Sequence, residues 1–323
     1  MVHKYQKLLV TGGAGFIGSH IVDRLLNEGL GVTVIDNLDT GSLKNIAHHQ
    51  GNKEFRFIKG DIRDFNLVKR TMKDIDAVFH EAALANVSLS IQNPLLANDV
   101  NVAGTVNLLK TSLDLGVKRF IYASSASVYG CTPPDRKSED MTTDPASPYG
   151  VSKLAAEYYV RLFHTLYNLD TVSLRYFNVY GPRQRCDIGC NYGGVIAIFI
   201  RRLLENMPPM IYGDGEQTRD FVYVQDVIEA NMLALNNRNA IGQVFNIGTG
   251  RRTSINRLAE LLKEIMGKKH IRNTYADPRS ADLRHGYAGT TKAEKILGCN
   301  SRFSLKEGLV ELVPLALKDG APS

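Results

Sequence analysis

One segment constrains this chain more than any other: Thr11-Gly12-Gly13-Ala14-Gly15-Phe16-Ile17-Gly18. It joins the apolar run Leu8-Leu9-Val10 to a helix-periodic stretch at residues 18–27. Glycines at 12, 15 and 18 let the turn tighten, let an anion approach the backbone, and let the helix pack on the strand. The first N–H groups of such a helix lack intrahelical partners and sit at its positive end, so they face a phosphate well. Asp36 closes the next apolar run, and Asn37 follows it. An acid at that place accepts hydrogen bonds from a ribose hydroxyl and repels a 2′-phosphate. The pattern predicts a dinucleotide site that takes NAD in preference to NADP.

Further apolar runs at residues 32–35, 55–58, 77–79 and 119–123 are separated by helical patterns, including residues 67–72 and a long one at 95–115. Short strands alternating with helices mean βαβ units and a parallel sheet. Such a sheet is buried on both faces, hence runs that are apolar rather than alternating. From Arg175 onward Gly and Pro cluster at Gly181-Pro182, Gly193-Gly194, Pro208-Pro209 and Gly213 to Gly215. The expectation is an α/β chain: a Rossmann-type doubly wound parallel sheet in residues 1–175, then a smaller mixed α/β substrate lobe in 176–323. Later segments are free to return to the sheet. The chain has 323 residues, 44% hydrophobic and 22% charged, which suffices for that core and excludes a disordered or disulfide-scaffold class.

The net charge of +6 suits an anionic ligand, but the basic residues are scattered, so no nucleic-acid partner is expected. Cys131, Cys186, Cys190 and Cys299 do not make a disulfide framework in a chain this long, which points to a reducing, cytoplasmic setting. Cys186-x3-Cys190 has no second pair at ligand spacing, so no metal is expected. The apolar run at 195–200 is far too short for a membrane span, and no membrane partner is expected. Lys4 and Lys7 precede only three apolar residues before the glycines, the pattern of a strand rather than a signal peptide.

A second constellation carries chemistry. Tyr149 and Lys153 are four residues apart at the start of a helical stretch, which puts phenol and ammonium on one face. A nearby ammonium, joined by the positive ring of bound NAD⁺, is expected to favour tyrosinate and bring the phenol toward the range of a general base. Upstream, Tyr122-Ala123-Ser124-Ser125-Ala126-Ser127-Val128-Tyr129-Gly130 ends a strand in small hydroxyls, at the sheet edge where open α/β folds bind ligands. Ser125 is placed to hydrogen-bond a hydroxyl under oxidation.

Together the glycine loop, Asp36, the Ser-Ser-Ala-Ser-Val-Tyr-Gly segment and Tyr149/Lys153 resemble the extended short-chain dehydrogenase/reductases, and within them the UDP-hexose 4-epimerases. The segments Arg175-Tyr176-Phe177-Asn178-Val179-Tyr180-Gly181-Pro182-Arg183-Gln184 and Tyr212-Gly213-Asp214-Gly215-Glu216-Gln217-Thr218-Arg219-Asp220-Phe221 also match motifs of that family. The resemblance implies Ser125, Tyr149 and Lys153 as the catalytic group. It implies cofactor contacts from Gly12, Gly15, Phe16, Ile17, Gly18, Asp36, Asn37, Asp61, Ile62, Ala82, Ala83, Asn101, Tyr149 and Lys153. On the substrate it implies Ser125, Ser127, Tyr149, Asn178, Arg219, Arg279, Asp282 and Gly286. At Ala85 the chain departs from relatives that carry a Lys there.

The implied reaction is inversion at C4 of a UDP-hexose through a transient 4-keto sugar. Relatives that dehydrate or decarboxylate carry an acidic residue where this chain has Ala126 and Ser127, so epimerisation is expected. The stretch around Gly286, with Ala82-Ala83-Leu84 and Val87, looks most similar to epimerases of UDP-GlcNAc and UDP-GalNAc: a residue without a side chain leaves room for an acetamido group. UDP-Glc/UDP-Gal are expected as further substrates. A UDP-glucuronate 4-epimerase, with Arg185 or Arg284 facing the carboxylate, is the alternative. An NAD-binding regulatory protein without activity is a third possibility. The resemblance further implies a homodimer, paired through helices in residues 94–115 and 152–167.

Overall fold

The computed structural model describes residues 4–185, 194–278 and 284–319. Seven parallel strands form the central sheet: β1 (Lys7–Thr11), β2 (Gly31–Asp36), β3 (Phe55–Lys59), β4 (Ala77–His80), β5 (Arg119–Ser125), β6 (Thr171–Tyr176) and β7 (Gln243–Ile247). Their order is β7-β6-β5-β4-β1-β2-β3, which reverses direction between β1 and β4 and opens a crevice there. β4, β5 and β6 are buried along their whole length, as two-sided coverage by helices requires.

The division expected at residue 175/176 falls inside β6. Chain beyond it returns to the sheet as β7, paired from Gln243↔Val172 to Ile247↔Tyr176. The helix Val224–Asn236 packs against the helix Phe16–Asn27, so one large apolar cluster continues from the glycine-loop side into the later residues. The remaining strands after β6 form short two-stranded pairs, among them Asn178–Tyr180 with Phe221–Tyr223 and Tyr287–Ala288 with Arg136–Lys137.

The long helical pattern at 95–115 is corrected in one respect. It forms Pro94–Asn98 and Gly104–Asp114, separated by a π-turn over Asp99–Ala103. Asn101 lies in that turn, and the wider turn lets it reach a loop and a second helix at once. Among the described residues, no helix is long and apolar enough to cross a membrane.

Candidate active site

The glycine loop does what its spacing predicts. Gly12 has φ +68°, and a Cβ there would lie 2.8 Å from the Ala82 nitrogen. A Cβ on Gly18 would lie 2.3 Å from the Gly12 carbonyl oxygen, so helix and turn touch at van der Waals limits. Above the loop is a cavity of about 410 Å³ lined by Gly12, Gly15, Phe16, Ile17, Gly18, Asp36, Asn37, Asp61, Ile62, Ala82 and Ala83, among others. These residues fit NAD: the loop presents the start of the helix, and small residues face it across the crevice at the end of β4.

Asp36 is 7% exposed, and burial raises its carboxyl above the usual range. Its oxygens already accept the Ala14 N–H (3.0 Å) and the Leu38 N–H (2.8 Å), which fix the carboxylate at the cavity wall. Asp61 is gripped by Arg63 through two guanidinium bonds (2.9 and 2.7 Å) and accepts from Asn37 Nδ2 (3.1 Å). The Arg63 bonds, with smaller help from Asn37, hold its carboxyl at about 2. Asn101 is 1% exposed: its Oδ1 accepts the Leu84 N–H (2.8 Å), and its Nδ2 donates to Ser152 Oγ (2.9 Å). It therefore ties the Ala82–Leu84 segment to the helix that carries Tyr149.

That helix, Pro148–Tyr167, starts where local chemistry dictates. Pro148 occupies its first turn, and the Ser147 hydroxyl caps it by accepting the Gly150 N–H (3.1 Å). A Cβ on Gly150 would stand 2.7 Å from the Ser127 carbonyl oxygen, so the helix end rests directly on the loop after β5. Ser90 Oγ accepts the Tyr149 N–H (3.1 Å) and fixes the phenol's own backbone. The Tyr149 phenol hydrogen-bonds Ser125, whose Oγ also accepts the Ser127 N–H (3.1 Å).

Lys153 is 3% exposed, with Nζ 4.8 Å from the centroid of the Tyr122 ring. Burial pulls its ammonium down to about 8, against the opposing pull of the Glu81 and Glu157 carboxylates. The expected lowering of the Tyr149 phenol is not supplied by the protein alone. Burial pushes it up, the Ser125 bond works the other way, and the Glu81 charge adds to the rise. The spacing shows the ammonium but not the desolvation of a phenol packed inside the protein.

One turn below Lys153, Glu157 pairs with Arg175 (2.6 and 3.0 Å) and accepts from Ser124 Oγ (2.6 Å). Arg175 reaches on to the Tyr129 hydroxyl (2.8 Å), and Tyr129 donates to Asn246 Oδ1 (2.7 Å). This buried network clamps the helix to β5, β6 and β7.

At the substrate side, Asn178 and Arg219 line a second cavity of about 200 Å³ with Val195, Phe199, Tyr212 and Gln217. Asn178 Nδ2 donates to the Asp220 carbonyl (3.2 Å). Asp220, wholly buried, accepts from the Thr249 and Gly250 N–H groups (both 2.9 Å) and the Ala288 N–H (3.0 Å). Gly286 is buried two residues before Ala288 and lies outside the lining of the Asn178/Arg219 cavity. Ser127 is half-buried beside Ser125. Arg279, Asp282, Cys186 and Cys190 lie outside the described residues.

Three carboxylates that anchor contacts around the site carry no such role in the sequence pattern: Glu81, Glu157 and Asp220. Each is a carboxylate whose partners come from distant segments. Their only local signal is an acid inside or beside an apolar run, which asks for a buried partner.

Fold and site together define an NAD-dependent protein of the extended short-chain dehydrogenase/reductase type. Residues 8–248 match the NAD dependent epimerase/dehydratase family, and the chain belongs to it. It is 42% identical over 308 residues to a putative UDP-glucose 4-epimerase of Methanocaldococcus jannaschii, covering 95% of this chain and 97% of that one. Similar solved structures include the UDP-glucose 4-epimerase of Thermotoga maritima with UDP-glucose (41% identity, TM-score 0.91, 97% and 99% of the two chains). A UDP-N-acetylglucosamine 4-epimerase of Methanobrevibacter ruminantium, in complex with UDP-N-acetylmuramic acid, matches at 38% identity and TM-score 0.90, over 98% and 100%.

Proposed function

We propose that this chain inverts C4 of a UDP-hexose, taking UDP-GlcNAc and UDP-GalNAc and also UDP-Glc and UDP-Gal. The observation that carries the reading is the Tyr149–Ser125 hydrogen bond, with Tyr149 and Lys153 both within the field of Glu81, a residue of the NAD cavity wall, and a separate polar cavity at Asn178 and Arg219. Bound NAD⁺ supplies a reversible two-electron acceptor. Ser125 orients the C4 hydroxyl, and Tyr149 takes its proton and returns it when the other face is reduced. Lys153 supplies the positive charge that favours the phenolate. Asn178 and Arg219 hold the UDP portion while the 4-keto sugar turns over, the guanidinium fork matching phosphate oxygens. Arg279 and Asp282 are assigned to the nucleotide.

Ala126 and Ser127 favour inversion over elimination or decarboxylation, because no carboxyl group stands there to remove a further proton. Gly286, lacking a side chain, favours the N-acetylated sugars. Cys131 and Cys299 are free thiols, in keeping with a cytoplasmic setting. The same reading pairs two copies through the helix Pro148–Tyr167 and its neighbour. Leu166, Tyr167 and Val151 are 64%, 50% and 53% exposed there, and Leu95 beside them is 76% exposed, an apolar face suited to a second copy.

The test is incubation with UDP-GlcNAc, UDP-Glc and UDP-GlcA separately, followed by resolution of C4 epimers. Conversion of both UDP-GlcNAc and UDP-Glc supports the proposal in full, and conversion of UDP-Glc without UDP-GlcNAc removes the N-acetylated sugars from it. Conversion of UDP-GlcA alone reassigns the sugar, and no conversion of any of the three makes the chain an NAD-binding protein without this activity.

A further inference from the structure

Beside the catalytic pair stands a carboxylate that the mechanism above does not use. Glu81 follows β4 directly and lines the cofactor cavity next to Ala82 and Ala83. Its Oε1 accepts the Tyr176 hydroxyl (2.9 Å), and that hydroxyl in turn accepts from Asn231 Nδ2 (2.7 Å), which is also anchored on the Val227 carbonyl (2.8 Å). Glu157, the other acid felt by Lys153, is neutralised by a two-pronged bond to Arg175. Glu81 is met by a neutral phenol, and among the described residues no cation is bonded to it, so its charge acts on the site uncancelled.

We propose that Glu81 is a positioning residue whose carboxylate sets the charge state of the Tyr149–Lys153 pair. The titratable groups facing it are Tyr149 and Lys153 from the helix Pro148–Tyr167 and Tyr176 from β6. His80 precedes it, but that ring is lodged between the Thr11 and Thr105 hydroxyls (2.8 Å each), and burial holds it neutral, down to about 3. Burial raises Glu81 itself to about 7, opposed by Tyr176 and by Lys153, so it changes charge near neutral pH. The signs follow from electrostatics: an ionised Glu81 favours the ammonium of Lys153 and disfavours the phenolate of Tyr149. When Glu81 takes up a proton, both preferences relax. The phenolate then forms at lower pH and the ammonium is lost at lower pH.

The inference rests on Tyr149 as the proton-transfer group, and its test needs no sugar turnover. The phenolate absorbance of Tyr149 is titrated in the NAD-loaded full chain, as the difference between each protein and its Tyr149→Phe counterpart. Glu81→Gln is expected to lower the midpoint by about one pH unit. Glu81→Asp, which withdraws the charge by one methylene, moves it part of the way and serves if the Gln variant does not fold. Tyr176→Phe, which removes the hydrogen bond but leaves the charge, keeps the midpoint near that of the parent. An unmoved midpoint in whichever Glu81 variant folds, or equal shifts from Glu81→Gln and Tyr176→Phe, overturns the proposal. A protein that converts no UDP-sugar refutes the proposed function and leaves this titration measurable.

Discussion

Around the glycine loop the close contacts are to backbone and at positions without a Cβ, between the loop, the start of the helix Phe16–Asn27 and the segment that follows β4. Around Asn178 and Arg219 they come from side chains brought together across residues 178 to 255, with Asp220 reaching as far as Ala288. The first region is specified by steric exclusion: a Cβ at Gly18 has nowhere to go. The second is specified by a few polar bonds around one buried acid. A subsite built by exclusion tolerates no added side chain, whereas one built from side chains can be retuned one residue at a time. The helix Pro148–Tyr167 is held by its buried Glu157–Arg175 pair to the strand Thr171–Tyr176, which leads directly into Asn178.

The largest effect is expected where the regions meet. Tyr149→Phe should lower turnover by about 10²–10⁴-fold, the usual cost of losing a general base. Nucleotide-sugar affinity should be unchanged, because the proposed UDP contacts, Asn178 and Arg219, line the other cavity. Steady-state kinetics and calorimetric binding separate the two, and a near-parental rate would remove Tyr149 from the chemistry.

Next is the clamp. Glu157→Gln leaves the Arg175 guanidinium buried without its carboxylate, and breaking such a pair costs about 3–5 kcal/mol. Denaturant unfolding should show that loss whether or not NAD is present. A change below about 1 kcal/mol would mean that the clamp does not hold the helix in place.

Gly286→Tyr sharpens the substrate side alone. A bulky side chain in a packed wall costs about 1–3 kcal/mol for a ligand that needs the space. It should lower kcat/KM for UDP-GlcNAc by about tenfold or more while sparing UDP-Glc. Equal loss of both sugars would place Gly286 in the fold of the lobe instead of its specificity. The smallest effect on the site itself is expected at the exposed apolar face. Leu166→Glu should shift sedimentation from dimer to monomer with little change in cofactor content, and a parent protein that sediments as a monomer would refute the pairing.

What the sequence made legible divides along the same line. The glycine loop, Asp36 and the Tyr149/Lys153 spacing lie within single βαβ or helix-start units, where period and turn chemistry act over a few residues. Their structure follows directly. Asn101 was implied as a support of the cofactor site, and it does tie Leu84 to Ser152, but the π-turn that aims it was not visible in a pattern that reads as continuous helix. The bonds of Glu81 and Asp220 were not legible because their partners lie 95 and up to 68 residues away. Tyr149 shows the limit most sharply. Its neighbour at i+4 was evident, while the burial that pushes its phenol up depends on everything packed around it.

The central claim is that C4 of a UDP-sugar is oxidised and reduced on its other face within one binding event. Incubating the NAD-loaded protein with UDP-GlcNAc deuterated at C4, and following the products by mass and proton resonance, tests it directly. The account predicts both C4 epimers with deuterium retained at C4 and none lost to water. Epimers that have lost the label to solvent, or labelled substrate returned without any epimer, would contradict it.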